Sequence, residues 1–312
     1  MLRAMSSISD VVLDPAAAYP EVAALRSALA AHDWPACRGV LDAARPVART
    51  SLMVEAGGEA GLDDFLTAVL REDPDDGTAA ALLGFHLTAV GWRVRSEFRA
   101  QYVSDRRFAE FHDWLRKAER VLVDGAARNP MDPAVWTARM PTARGLQFGQ
   151  AEARRRYDRL AAIDPHHLPG QRHFLQQLCP KWSGSWQLTH EFAGESMRAA
   201  PLGSHNAVLV AEAHIEQWLD LDGEDGRRYL GSPPVREALY EAAHRSVWHP
   251  DFERTYGWVA VLSTFAMAFS YAGDHRAAGP LFAGLGVLAS DRPWSYLGDP
   301  VTVIRQQRTL SA

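Results

Sequence analysis

The segment Lys181-Trp182-Ser183-Gly184-Ser185-Trp186 concentrates groups that can hold an anion. It supplies the Lys181 ammonium, the hydroxyls of Ser183 and Ser185, and the amides of a helix predicted to begin near Trp186. Free amides at a helix N-terminus bind anions, and hydroxyls and an ammonium strengthen such a site. Trp182 and Trp186 could also line a pocket for a small aromatic ligand. The structural alternative is that Ser185 caps the helix and the tryptophans fill a crevice, since the glycine spacing of a P-loop is missing.

A second group of residues has the chemistry of metal ligands. On a helix from about Ser204 to Leu219, the side chains of His205, Glu212 and Glu216 fall within roughly 40° of one another. With His190 on the preceding helix they could form a nitrogen and oxygen site for a metal ion, as helix bundles do. The alternative is a solvated polar face, because no His-Glu-x-x-His motif is present.

Three further polar residues suit a binding groove. Arg139, Arg172 and Asn206 lie on the predicted first helices of successive helical units, and an arginine there could clamp a carboxylate with two hydrogen bonds. The run Arg154-Arg155-Arg156 is predicted to be mostly solvated, because consecutive residues point around a helix.

Composition and charge exclude several classes of function. The 312 residues include 33 basic and 38 acidic side chains, for a net charge of -5, so no basic field for nucleic acid is predicted. Cys37 and Cys179 show no metal-binding or disulfide spacing, and with no expected signal peptide this favours the cytoplasm. No catalytic nucleophile motif and no cofactor motif is recognisable.

The apolar pattern predicts helices almost throughout. Phe108, Phe111, Leu115, Ala118 and Leu122 recur at steps of three and four residues, which is typical of one helix face. The uncharged stretches 255–273 and 277–290 are predicted to be buried helices and not membrane spans, since they contain several hydroxyl side chains or glycines. They could also form the interface of a homo-oligomer.

Prolines predict where these helices stop. Each of four dipeptides is expected to end one helix and turn the chain toward the next: Asp73-Pro74, Asn129-Pro130, Asp164-Pro165 and Ala200-Pro201. The last three prolines recur at about 35 residues, the length of one helix-turn-helix unit. The 56-residue interval before Pro130 must contain an extra helix or a long one.

The unit from about Pro133 to Pro165 resembles the tetratricopeptide repeat. Trp136, Ala153, Tyr157 and Pro165 fall at or within one place of the characteristic positions of that family. The resemblance implies two-helix units stacked in a right-handed superhelix, whose concave face commonly binds peptides or partner proteins. The segment from Pro180 to Ser185 also resembles a Pro-Lys-Trp-Gly-Gly-Ser segment of a helical bacterial family of unassigned function, with Ser183 in place of the first glycine.

These observations predict an all-α protein of tetratricopeptide-like repeats in a single continuous domain, residues 1–312. Its parts are an irregular region 1–130, the best repeats at 131–220 and terminal helices at 235–308. We expect a scaffold that binds a protein or peptide. The alternative is a small-molecule-binding protein or a metal-dependent enzyme built on helices.

Overall fold

The computed structural model describes residues 11–95 and 104–312, apart from the side chain of Arg227. In these ranges the chain forms 16 α-helices and no β-strand, which confirms the predicted all-α class. It divides into two compact units, here named the central unit (Pro20–Phe192) and the terminal unit (the residues up to Tyr19, with Ala193–Ala312). The unit boundary falls within a helix of the predicted repeat region, and the single-domain prediction stays a prediction.

Ten helices lie wholly or partly in the central unit. They are α1 Pro20–Ala30, α2 Trp34–Ala43, α3 Pro46–Ala56, α4 Asp63–Glu72, α5 Gly77–Arg95, α6 Asp105–Arg128, α7 Pro133–Gly145, α8 Gly149–Ile163, α9 Leu168–Leu178 and α10 Trp186–Ala199. The remaining helices belong to the terminal unit. They are α11 Val208–Asp220, α12 Gly223–Tyr229, α13 Pro233–Arg245, α14 Trp258–Tyr271, α15 His275–Leu285 and α16 Pro300–Leu310.

All four predicted proline stops are confirmed. In each case the helix ends at the residue before the predicted dipeptide: α4 at Glu72, α6 at Arg128, α8 at Ile163 and α10 at Ala199. The restriction that proline places on the preceding residue accounts for these ends. The long interval before Pro130 contains α5 and α6, which have 19 and 24 residues.

Helix α5 is the core of the central unit. It packs against α3, α4, α6 and α7, so side chains around most of its circumference are buried. Gly84 lets α6 approach closely, because a Cβ there would lie 2.3 Å from the Leu122 side chain. On α6 the predicted apolar face is confirmed, with Phe111, Leu115 and Leu122 all buried.

Aspartates at helix N-termini join distant helices of the central unit. Asp76 caps α5 through the amide of Ala79, and its other oxygen accepts hydrogen bonds from Trp34 Nε1 and Arg38. Asp132 caps α7 and pairs with Arg49 of α3. Each carboxylate therefore satisfies a helix end and anchors a second helix.

The best predicted repeat corresponds to α7 and α8, which pack against each other and against α9. Trp136 Nε1 donates to the carbonyl of Pro130, and Tyr157 stacks on Phe174 with ring centroids 4.5 Å apart. Ala153 is buried at the contact. These residues show a packed two-helix unit where one was predicted.

The terminal unit joins the beginning of the described chain to its C-terminal helices. Val12 forms a parallel β-bridge with Leu288, and the Tyr19 hydroxyl accepts a hydrogen bond from the Val259 amide. Helix α14 packs against α11, α13 and α15, and nearly all of its side chains are buried. The prediction of buried helices in the uncharged stretches is thus confirmed for α14.

Across residues 11–95 and 104–312, no helix is both long enough and apolar enough to cross a membrane. The predicted homo-oligomer stays a prediction. The side chains of α14 are mostly buried against helices of its own unit.

Candidate functional site

The predicted ligand loop is held in a fixed conformation. Trp182 ends a short 3-10 turn that starts at Pro180, and its carbonyl accepts hydrogen bonds from the side-chain amides of Gln150 and Gln177. Ser183 has a φ of 66°, in the left-handed region. A Cβ on Gly184 would lie 1.9 Å from the carbonyl oxygen of Leu178, so only glycine fits there.

The hydroxyl of Ser185 has a structural partner. It accepts a hydrogen bond from the Leu188 amide and so caps α10, the helix that begins at Trp186 as predicted. Lys181 is exposed on the turn. The structural alternative for Ser185, that it caps the helix, is therefore confirmed. Ligand binding by the loop stays a prediction.

The Trp182 indole belongs to a cation and aromatic cluster. Its ring meets the edge of Trp92 at 5.9 Å, and the Arg144 guanidinium lies 5.6 Å from the Trp182 ring and 5.8 Å from the Trp92 ring. Arg144 also donates to the His173 carbonyl. Burial, and then the charges of Arg144 and Arg172, lower the pKa of His173 to about 3, so its imidazole is neutral at pH 7. Arg172, a predicted groove residue, therefore contributes to a positive environment on α9.

Arg139 is not presented to a groove. It is 8% exposed and pairs with Glu119, at 3.1 Å between Nη2 and Oε1. Arg156 forms two hydrogen bonds with the same carboxylate, and its Nε bonds Glu152. The predicted solvated arginine run is therefore wrong for Arg156, which is 2% exposed, although Arg154 and Arg155 are exposed.

The four predicted metal ligands do not form a metal site. His205 lies in a 3-10 turn before α11, where its Nε2 contacts the Glu253 carbonyl at 3.0 Å, so it does not share the helical phase of Glu212 and Glu216. Among residues 11–95 and 104–312, no group of three or more histidine, cysteine or acidic side chains is arranged to hold a metal. His190 on α10 contacts the ring of Trp186.

The glutamates of α11 also depart from the predicted solvated face. Glu216 is 8% exposed, and Glu212 is partly covered. Tyr296 is 44% exposed; its partial burial, and then Glu216 with a smaller effect of Glu212, raise its pKa. Asn206, the third predicted groove residue, is buried in the turn before α11.

A buried histidine has the connections of a catalytic triad. His167 Nδ1 lies 3.1 Å from Asp164 Oδ2, and its Nε2 lies 3.1 Å from the Thr50 hydroxyl. Thr50 and His167 are both 0% exposed, so no substrate can reach this hydroxyl. The triad instead connects α3 to the start of α9.

One cleft of the central unit brings charged and apolar groups together at the surface. This α4–α6 cleft has a volume of about 290 Å³, and α5 forms its floor between α4 and α6. Its lining residues are Asp63, Asp64, Thr67, Leu83, Leu87, Trp114, Lys117, Arg120 and Val121.

The two walls of the α4–α6 cleft carry opposite charges. Asp63 and Asp64 lie in the first turn of α4, while Lys117 and Arg120 lie one turn apart on α6. Lys117 Nζ sits 4.3 Å from the centre of the Trp114 ring. Within the described parts of the chain, none of these four charged groups forms an ion pair.

Sequence reasoning did not find the α4–α6 cleft, and none of the predicted ligand or metal residues lines it. The available signal was weak: Trp114 and Lys117 are three residues apart on one predicted helix, and Lys117 is one of two lysines in the chain. The acidic wall lies about 50 residues earlier in the sequence, and only packing on α5 brings it near.

Comparisons with known proteins provide no relative: no protein-family model, curated protein or solved structure matches this chain.

Proposed function

We propose that this protein is a helical-repeat scaffold that binds a peptide or a segment of a partner protein, and that the α4–α6 cleft holds that segment. The observation that carries the proposal is the cleft itself: an apolar floor lies between walls of opposite charge, which form no ion pair with other described residues. Interfaces combine a buried apolar contact with a charged rim in this way.

The composition of the cleft favours recognition over chemistry. Trp114 offers a partly exposed aromatic surface, and aromatic side chains at protein surfaces are frequent anchors of binding energy. The charged groups lie on exposed or partly exposed helix faces, where electrostatic attraction sets specificity and association rate. The triad of Asp164, His167 and Thr50 has the connections of a catalytic triad, but its histidine and hydroxyl are closed to solvent.

Helices α7 and α8 pack as a two-helix unit, and we propose that other helix pairs of the chain pack in the same way. We propose that the helix pairs are degenerate tetratricopeptide-like units stacked in a superhelix, as the residues Trp136, Ala153, Tyr157 and Pro165 suggest. The proposed location is the cytoplasm, which agrees with two buried cysteines that are free thiols.

A peptide-display selection on the immobilised protein tests this function. Peptides that are enriched are measured by titration calorimetry against the wild type and Trp114→Ala. We expect the substitution to raise Kd at least about tenfold, because it removes the aromatic anchor. Arg116→Ala is the matched control, since Arg116 lies on α6 outside the cleft and pairs with a neighbouring aspartate, Asp113.

Failure to enrich any peptide would remove the proposed function. Equal affinities of the wild type and Trp114→Ala for every enriched peptide would remove the cleft as its site. Circular dichroism and urea unfolding of both variants establish that the comparison is between folded proteins.

A further inference from the structure

We propose that the α4–α6 cleft selects one class of peptide: an apolar side chain with an acidic residue on one side and a basic residue on the other. This inference rests on the proposed function and names the ligand of the same site. It follows from the separation of charge across the cleft and from the size of the space between the walls.

The α6 wall is suited to a carboxylate. Lys117 and Arg120 are both exposed and lie one helical turn apart, so a single acidic side chain can reach both. Arginine offers two parallel donors to a carboxylate, and lysine adds a point charge. Lys117 is also held in place over the Trp114 ring.

The α4 wall is suited to a cation. Asp63 and Asp64 supply two carboxylates in one helical turn, and Thr67 lies one turn further along the cleft with a hydroxyl. An ammonium or guanidinium placed here would have charged and neutral acceptors together. An acidic residue of a peptide would be repelled by Asp63 and Asp64 and attracted to Lys117 and Arg120 on the opposite wall.

The space between the walls is suited to one apolar side chain. Leu83 and Leu87 of α5 close the floor, and Val121 and the Trp114 ring supply the apolar sides. The volume of about 290 Å³ lies at the lower limit of pockets that enclose drug-sized ligands. A whole helix does not fit in this volume, whereas an aromatic or leucine side chain with its flanking backbone does.

Charge balance selects the mixed ligand over a ligand of one sign. A purely acidic peptide would bring its second charge toward Asp63 and Asp64. These carboxylates would repel it, because no ion pair among the described residues neutralises them. A peptide with one charge of each sign satisfies both walls at once. Electrostatic complementarity of this kind suppresses wrong partners.

Lysine labelling offers a direct test, because the chain has two lysines and only Lys117 lies in the cleft. Four peptides are compared, each of the form acetyl-Gly-X-Phe-Z-Gly-amide, with X and Z as Glu and Arg, Glu and Glu, Arg and Arg, or Gln and Gln. An acetylating reagent labels the full-length protein at increasing peptide concentration, and mass spectrometry gives the rate at each lysine.

We expect the Glu-Phe-Arg peptide to slow labelling of Lys117 at a concentration about fivefold lower than the other three peptides, with Lys181 unchanged. In the double variant Asp63→Asn, Asp64→Asn, the preference for arginine over glutamate at Z (Glu-Phe-Arg against Glu-Phe-Glu) should disappear. The preference for glutamate over arginine at X (Glu-Phe-Arg against Arg-Phe-Arg) should remain. Asp113→Asn on α6 outside the cleft is the matched control and should keep both preferences.

Two results would overturn the inference without touching the proposed function. One is equal protection of Lys117 by the neutral and mixed peptides; the other is a set of display-selected peptides that depend on Trp114 but lack the acidic, apolar and basic triplet. Protection of Lys181 in place of Lys117 would remove the cleft as the site. Absence of binding by every peptide, selected or synthetic, would remove the proposed function as well.

Discussion

The guanidinium of Arg156 on α8 forms two hydrogen bonds with the carboxylate of Glu119 on α6, at 2.7 and 2.9 Å. Arg156 is almost fully buried and Glu119 largely so. Thr142 and Arg139 of α7 donate to the same carboxylate, so a single acidic group joins three helices. The pair is buried and satisfied, which makes the loss of either partner costly.

Glu119→Gln should therefore destabilise the protein strongly. The substitution leaves Arg156 and Arg139 buried without their counter-charge, and we expect the free energy of unfolding to fall by about 3 kcal/mol. Urea unfolding followed by circular dichroism measures this change. Glu110→Gln, at an exposed position of the same helix, is the control and should stay within about 0.5 kcal/mol of the wild type. A loss below about 1 kcal/mol for Glu119→Gln would contradict the role of the network.

Acid should weaken the same region through Glu152. Hydrogen bonds from Arg155, opposed by burial and reinforced by Arg156, lower the pKa of Glu152 from 4.5 to about 2. Because the folded-state pKa lies below the unfolded one, this stabilisation is fully present above about pH 5. It is lost as the pH falls toward about 2.

Comparison of the wild type with Glu152→Gln checks this dependence. The wild type should be the more stable protein at about pH 6, and the difference in the free energy of unfolding should shrink steadily as the pH is lowered to about 3. Urea titrations at several pH values give the two curves. Parallel curves would show that Glu152 does not contribute in this way.

Two glycine substitutions should have opposite effects. A Cβ at Gly184 would lie 1.9 Å from the Leu178 carbonyl oxygen, which is backbone and cannot easily move, so Gly184→Ala should cost about 3 kcal/mol. Gly39 lies inside α2, and a methyl group there would meet no described atom within 4 Å beyond its own helix backbone and chain neighbours. Gly39→Ala should therefore gain about 0.5–1 kcal/mol. Thermal unfolding of both variants gives the two signs, and a tolerated Gly184→Ala would contradict the close contact.

Sequence periodicity predicted the all-α class, and proline positions predicted the ends of four helices, because both signals are local. The buried face of α6, the four proline stops and the start of α10 at Trp186 depend on neighbours within one or two turns. The prediction for His205 was wrong for a related reason. A 3-10 turn before α11 changes the angle per residue, and the constant helical step assumed for His205, Glu212 and Glu216 then no longer holds.

By itself, then, the sequence determined an all-α chain, the positions where four helices stop, and the burial of the uncharged stretch that forms α14. Only the tertiary structure decided which charged side chains are buried in ion pairs and which line the surface cleft. Arg156 and Arg154 are two residues apart and alike in type, yet one is enclosed by α6 and α7 and the other is exposed. Asp64 and Lys117 face the same cleft although 53 residues separate them. The physical reason is that helix formation depends on adjacent residues, whereas burial and charge pairing depend on which helices pack together.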